Sequence, residues 1–143
     1  MKKIAIMAAA VCLLSTLFLG ACSFLTVQGP GNIVRESRDV NNFNNISLLG
    51  TGNINISQGY EESLTIETDD NLMEFIETKV EDGALDIDIS DGVILKPSKG
   101  IDYNICVKDI NRISVYGSTK IYARSIYTAD EFSIEISGLE SNR

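Results

Sequence analysis

The sequence predicts an all-β domain, wound either as a β-solenoid or as an antiparallel β-sandwich. Three observations predict it. Apolar residues recur at every second position in short runs, as in Leu85, Ile87 and Ile89 or Ile101, Tyr103, Ile105 and Val107, which is the period of a strand with one buried face. Turn-prone clusters such as Gly50-Thr51-Gly52, Glu81-Asp82-Gly83 and Ser90-Asp91-Gly92 separate the runs at short intervals. A five-residue pattern also returns. Ile113-Ser114-Val115-Tyr116-Gly117 and Ile134-Glu135-Ile136-Ser137-Gly138 superimpose at an offset of 21 residues, and Ile46-Ser47-Leu48-Leu49-Gly50 has the same shape. Solenoid coils stacked about 4.8 Å apart produce such offsets.

Taken in order, residues 1–21 read as an export signal: Lys2 and Lys3 precede an apolar run over residues 4–14, a Ser15-Thr16 pair and Leu17-Phe18-Leu19-Gly20-Ala21-Cys22. A permanent span would need about 20 apolar residues, and this stretch is short for one. Leu19, Gly20 and Ala21 before Cys22 resemble a bacterial lipoprotein signal, which implies that signal peptidase recognises these three residues and that Cys22 is acylated at its thiol and new amino group. Two or more acyl chains hold a protein on a membrane stably. An ordinary secreted protein with a chance cysteine is the plainer reading. Residues 22–31 then form a tether that ends at Gly29-Pro30-Gly31, and the folded domain occupies residues 32–143.

The 143 residues carry 12 Lys+Arg against 20 Asp+Glu, with no His and no Trp. Without His there is no His-dependent triad, His-type zinc site or neutral-pH imidazole switch. Loss of residues 1–21 removes Lys2 and Lys3 and no acid, taking the net charge from −8 to −10. An acidic surface repels phosphate backbones, so nucleic acid is not an expected partner. Cys12 leaves with the signal and Cys22 carries lipid, so Cys106 has no disulfide partner and stability must come from packing.

Within the exported part, Leu64 and Ile66, the runs 85–89 and 101–107, Ile113 and Val115, and Phe132, Ile134 and Ile136 each read as a half-buried strand. Only Asp69-Asp70-Asn71, followed by Leu72, Phe75 and Ile76, reads as helical, with an acidic N-cap and one or two turns. No long amphipathic helix is available to cover a parallel sheet.

The segments Asp39-Val40 to Phe43, Leu49-Gly50-Thr51-Gly52-Asn53-Ile54-Asn55-Ile56-Ser57-Gln58-Gly59, Leu64-Thr65-Ile66-Glu67-Thr68-Asp69-Asp70-Asn71-Leu72 and Ile76-Glu77-Thr78-Lys79-Val80-Glu81-Asp82-Gly83-Ala84-Leu85-Asp86-Ile87 resemble the head GIN domain family of bacterial auto-transporter adhesins. Ile113-Ser114-Val115-Tyr116-Gly117-Ser118 resembles the first of that family's Ser-Gly-Ser turns. The resemblance implies a right-handed parallel β-helix behind a lipoprotein or secretion signal, and it favours the solenoid over the antiparallel sandwich. Family members continue with further coils where this chain stops at Arg143, so the expectation is either a short member or one truncated at its C-terminus. A solenoid ending on Phe132-Ser133-Ile134-Glu135-Ile136 would present a bare strand edge prone to self-association.

Candidate sites each have a plain structural reading beside the functional one. Asp86, Asp88 and Asp91 alternate like calcium ligands, but an EF-hand register would put Asp91 where Gly is required and Pro97 where Glu is required. Asp86 and Asp88 read better as the solvent face of a strand. The pairs Glu61-Glu62, Asp69-Asp70 and Glu81-Asp82 could supply glycosidase carboxylates, yet they sit in turns where acids cap or solvate. Cys106 shares outward parity with Asp102, Asn104 and Lys108 and reads as a passive thiol. Tyr60, Tyr103, Tyr116, Tyr122 and Tyr127 could stack on sugar rings or pack across strands. Asn41, Asn42, Asn44, Asn45, Asn53 and Asn55 read as amide ladders.

The expectation is a non-catalytic, adhesin-like envelope lipoprotein with no cofactor and no metal, bound to a membrane through Cys22 and to a glycan or protein through its domain. Ser23 after the cysteine points to the outer membrane if the organism has one. A carbohydrate-active enzyme and a structural or signalling lipoprotein are the alternatives.

Overall fold

Alternation decides which side of each strand enters the core, and it does so in nearly every period-two run. The computed structural model describes residues 24–124, 126–127 and 132–138. Its strands are β1 (Leu25–Gln28), β2 (Ile33–Arg38), β3 (Asn45–Leu49), β4 (Gly52–Gln58), β5 (Ser63–Asp69), β6 (Ile76–Glu81), β7 (Ala84–Ile89), β8 (Val93–Lys96), β9 (Asp102–Val107), β10 (Arg112–Tyr116), β11 (Thr119–Arg124) and β12 (Ser133–Ser137). A 3₁₀ segment, Asp70–Phe75, links β5 to β6. Within the stretch 22–31 that the sequence assigns to a tether, β1 pairs in parallel with β8.

Two five-stranded sheets enclose one core. The first has the order β12-β10-β3-β7-β6 and the second β11-β4-β9-β5-β2, with β1-β8 as a separate two-stranded sheet. Ile46, Leu48, Leu85, Ile87, Ile113 and Val115 from the first sheet join Ile54, Ile56, Leu64, Ile66, Tyr103 and Ile105 from the second in one apolar cluster. Each fully buried aliphatic side chain contributes about 1.5–3 kcal/mol. Tyr103 is wholly buried, its hydroxyl reaching the Thr51 carbonyl only at 3.5 Å, and burial pushes its phenol pKa up.

A right-handed parallel β-helix does not form. A solenoid stacks each coil on the one before it in sequence, whereas here β3 lies between β7 and β10, and β4 lies between β9 and β11. The pairs β2–β5, β5–β9 and β6–β7 are antiparallel, so there is no closed coil. The layered alternative, two sheets over a shared core, comes closer, although parallel pairs occur beside the antiparallel ones. The recurrent pattern is nonetheless a stacking signal: Ile113 pairs with Ile46 and with Ile134, and Val115 with Leu48 and with Ile136, all in parallel. Gly117 completes this stack because an added Cβ would lie 1.9 Å from the Gly50 carbonyl oxygen.

At the other edge, Asp82 (φ 50°) and Gly83 (φ 77°) form the two-residue turn of the β6–β7 hairpin, the Asp-Gly combination such turns favour. Asp69 does not cap the 3₁₀ segment as the sequence suggested. Its buried carboxylate instead accepts hydrogen bonds from Gly31 N (2.6 Å), Ser98 N (2.7 Å) and Ser98 Oγ (2.8 Å). Burial pushes its pKa up, but the bonds from Ser98 and Gly31 outweigh this and hold the carboxyl below its ordinary value. Gly29 lies against the same carboxylate, leaving no room for a Cβ.

Candidate binding face

The side chains that alternation turns away from the core line up across the second sheet in three rows, because a strand register repeats every two residues. The first row runs Lys120, Asn53, Asp102, Glu67, Arg35; the second runs Tyr122, Asn55, Asn104, Thr65, Ser37; the third runs Arg124, Ser57, Cys106, Ser63. Neighbours within rows are bonded. Asn53 Nδ2 donates to Asp102 Oδ1 (2.7 Å), Asn55 Nδ2 to Asn104 Oδ1 (3.2 Å), and Arg35 Nε to Glu67 Oε2 (2.9 Å). Such cross-strand pairs hold side chains in place at the surface.

The second row from Tyr122 to Thr65 and the third row line an open groove of about 920 Å³, in which Asn55, Asn104 and Arg124 stand. Beyond its end, Gln58, Gly59, Tyr60, Lys108 and Tyr127 line a further depression of about 530 Å³. There the Gln58 amide grips the Tyr127 backbone at both ends, Nε2 donating to the carbonyl (3.0 Å) and Oε1 accepting from the N–H (2.9 Å). Tyr60, Tyr122 and Tyr127 are 98%, 53% and 80% exposed.

The opposite outer face, on the first sheet, has different chemistry. Glu77, Glu81, Asp86 and Asp88 surround Lys79 there in a depression of about 620 Å³. Lys79 is bonded to Glu81, which pushes the ammonium pKa up. Asp86 stands between Ser47 and Lys79, and Asp88 between Leu49 and Glu77, so both occupy the solvent face of a strand.

The remaining sequence candidates are spread through the fold. Asp69 is the buried latch, while Asp70 accepts from Asn32 Nδ2 (2.7 Å) and from the Asn71 N–H (2.7 Å). Glu62 accepts from the Asn42 N–H (2.7 Å) and lies 3.7 Å from Lys108 Nζ. The acidic pairs therefore do not converge on a common centre. Among the described residues, no group of three or more His, Cys, Asp or Glu is placed to hold a metal ion. Cys106 is a free, half-buried thiol between Ser57 and Ser63. Of the tyrosines, Tyr103 is core and Tyr116 is 40% exposed on the first sheet. Asn53 and Asn55 make the cross-strand side-chain contacts expected of a ladder, whereas the side-chain amides of Asn42 and Asn45 donate to their chain neighbours Asn41 and Asn44. Leu19, Gly20, Ala21 and Cys22 lie outside the described residues.

Sequence reasoning missed Lys120, Arg124 and Gln58. For Lys120 and Arg124 the signal is parity, since they alternate with Ile121 and Ala123, which pair with the core residues Ile54 and Ile56; Gln58 shares the parity of Ile54 and Ile56, and parity does not single it out.

Comparison with solved structures gives the fold relatives. A putative adhesin from Bacteroides fragilis superposes with a TM-score of 0.71 at 25% identity, over 78% of this chain and 53% of that one. A protein described as a putative lipid binding protein from Parabacteroides distasonis superposes with a TM-score of 0.69 at 18% identity, over 78% and 48%. A putative adhesin from Parabacteroides merdae gives 0.67 at 18%, over 78% and 46%. This chain spans about half the length of these proteins. No curated protein matches it. The family model described as "Putative auto-transporter adhesin, head GIN domain" matches residues 42–141, and the chain belongs to that family.

Proposed function

We propose that the chain is a cell-envelope lipoprotein whose domain binds an extracellular macromolecule through the outer face of the β11-β4-β9-β5-β2 sheet, without chemical turnover. The observation that carries this reading is the groove itself. In its lining Asn55 is bonded across the strands to Asn104 and Thr65 to Ser37, so a ligand meets polar groups that have already lost part of their freedom. The carboxylates do not converge as a hydrolase would need: Asp69 is in the latch, Glu62 is with Asn42 and Lys108, Asp86 and Asp88 are on the opposite face, and on this face Asp102 is bonded to Asn53 and Glu67 to Arg35. Membership of an adhesin family and likeness to adhesin structures support binding as the role.

Attachment to the membrane rests on Leu19-Gly20-Ala21-Cys22. Acyl chains on Cys22 would leave the binding face to the outside, at the outer membrane of a diderm organism. Two experiments test the two halves. Labelling with a palmitate analogue in wild type and Cys22→Ala, followed by fractionation, tests the anchor: label and membrane association should be lost together, and loss of label alone would overturn it. Retention of the full chain on envelope extract and host-cell surfaces, with product analysis of any polysaccharide supplied, tests the domain. Retention without cleavage is expected, and release of sugar fragments would overturn the non-catalytic reading.

A further inference from the structure

We infer that the groove on the second sheet is a glycan site selective for sugars that carry a carboxylate, which seat across Tyr122, Arg124 and the Asn55–Asn104 pair. The inference rests on the binding reading above and specifies its ligand. Charge is the first argument. Acids outnumber bases 20 to 12 along the chain, yet the groove lining contains no carboxylate and one charged group, Arg124. The other outer face gathers Glu77, Glu81, Asp86 and Asp88 around a single lysine. Among the described residues Arg124 forms no ion pair, and a guanidinium is the group that takes a carboxylate bidentately. Lys120 stands four residues from Arg124 on the same strand and is exposed.

The uncharged groups suit the rest of a sugar ring. Tyr122 lies between the two cations, half exposed, and offers an aromatic face to the apolar C–H side of a pyranose. In the adjoining strands, Asn55 Nδ2 spends one donor on Asn104 Oδ1. Among the described residues Asn55 Oδ1 and Asn104 Nδ2 have no partner, leaving an acceptor and a donor on two register neighbours, which suits hydroxyls that both give and accept protons. Tyr60, Tyr127 and Lys108 line the further depression, where two aromatic rings and a cation, the latter 3.7 Å from Glu62 Oε2, are available to further rings of an oligosaccharide. A long polyanion would meet the repulsion of the whole acidic molecule. One carboxylated sugar in the groove sits within about a Debye length, ~8 Å, of the local cations.

The test titrates the full lipidated chain in detergent with three probes: trigalacturonate, with carboxylates along the chain; 3′-sialyllactose, with one at its end; and neutral lactose. At least one acidic probe should bind about tenfold or more tightly than lactose, the discrimination a charge-assisted hydrogen bond supplies. The stronger of the two tells whether the carboxylate is carried within or at the end of the glycan. Arg124→Gln should erase the preference, Arg124→Lys should restore part of it, and Tyr122→Ala should weaken every sugar that binds. Asp86→Asn, on the other face, should change nothing, and thermal melts should show all four variants folded. Equal affinity for lactose and both acidic probes, or a preference that survives Arg124→Gln, overturns the inference. If no sugar binds but the chain still holds to a protein ligand at the cell surface, the glycan site fails and the binding reading stands; if neither is held, both fail.

Discussion

The two ends of the strand stack use the same residue types and reach opposite outcomes. At the β2 and β6 end, antiparallel pairing, the 3₁₀ segment and the Asp69 latch close over the core, and Leu64, Leu72 and Leu85 have no exposed surface. At the β11 and β12 end, the strands are parallel and the last one lies open, with Ile134 and Ile136 51% and 61% exposed. Ile134 and Ile136 occupy the same register positions as the buried Ile113 and Val115. Alternation therefore chooses a face, while burial depends on whether another strand and another sheet cover it.

The largest effect should come from truncating the covered end. Leu85→Ala should cost about 2–5 kcal/mol through lost transfer energy and the cavity left behind. Ile136→Ala should cost about 0.5 kcal/mol or less, as for an exposed position. Urea unfolding of both variants measures the contrast. Equal losses would mean that β12 is covered in solution and the ends do not differ.

Next comes the glycine that lets the parallel rungs stack. Gly117 has φ +135°, and a Cβ there would collide with the Gly50 carbonyl 1.9 Å away. Gly117→Ala should therefore cost about 1–3 kcal/mol in strain and displaced backbone. Gly92→Ala also places a side chain at positive φ (+74°) but meets nothing within 4 Å, so it isolates backbone strain from collision. If both variants lose the same amount, close approach of the rungs contributes nothing.

Much of this contrast was legible in residue order, and the part that was not has an identifiable cause. β7, β9 and β10 were readable because in each every second residue is a large apolar one that enters the core or its margin. β2 and β11 were not, since Ile33-Val34-Arg35-Glu36-Ser37-Arg38 and Thr119-Lys120-Ile121-Tyr122-Ala123-Arg124 lie at sheet edges and bury little. The 21-residue offset correctly marks Ile113 and Ile134 as stacking partners, but alternation does not say which rung lies next to which, and β3 between β7 and β10 breaks the winding. Asp69 looked like an N-cap from its neighbours, while its actual partners lie 29 and 38 residues away. For the binding face, the tyrosines and asparagines stood out by type. Arg124 and Lys120 needed the strand register to bring them beside Tyr122 and the asparagines.

The Asp69 latch should then make the closed end sensitive to acid. Its pKa in the folded protein lies below the ordinary 3.8, so the unfolded chain takes up the proton more readily. The stabilisation is complete above pH 3.8 and is lost as the pH falls through the lower folded value. Asp69→Asn should be less stable than wild type at neutral pH, and its stability should fall less steeply below pH 4, read from urea midpoints across the range. An unchanged pH profile would mean that Gly31 and Ser98 do not hold the carboxylate in solution.

The smallest effect belongs to the ion pair that decorates the same end. Arg35 and Glu67 join β2 to β5, and their side chains are 68% and 33% exposed. An exposed pair gains little because water already solvates both charges and ordering two long side chains costs entropy, so Arg35→Ala should lose about 0–1 kcal/mol. That loss should shrink in 1 M salt, where the screening length is about 3 Å. The antiparallel ladder and the Asp69 latch would then account for closure. A loss above about 2 kcal/mol that persists in salt, outside what exposed pairs contribute, would instead place the closing force in the Arg35–Glu67 pair and make the two ends differ by surface charge rather than by coverage.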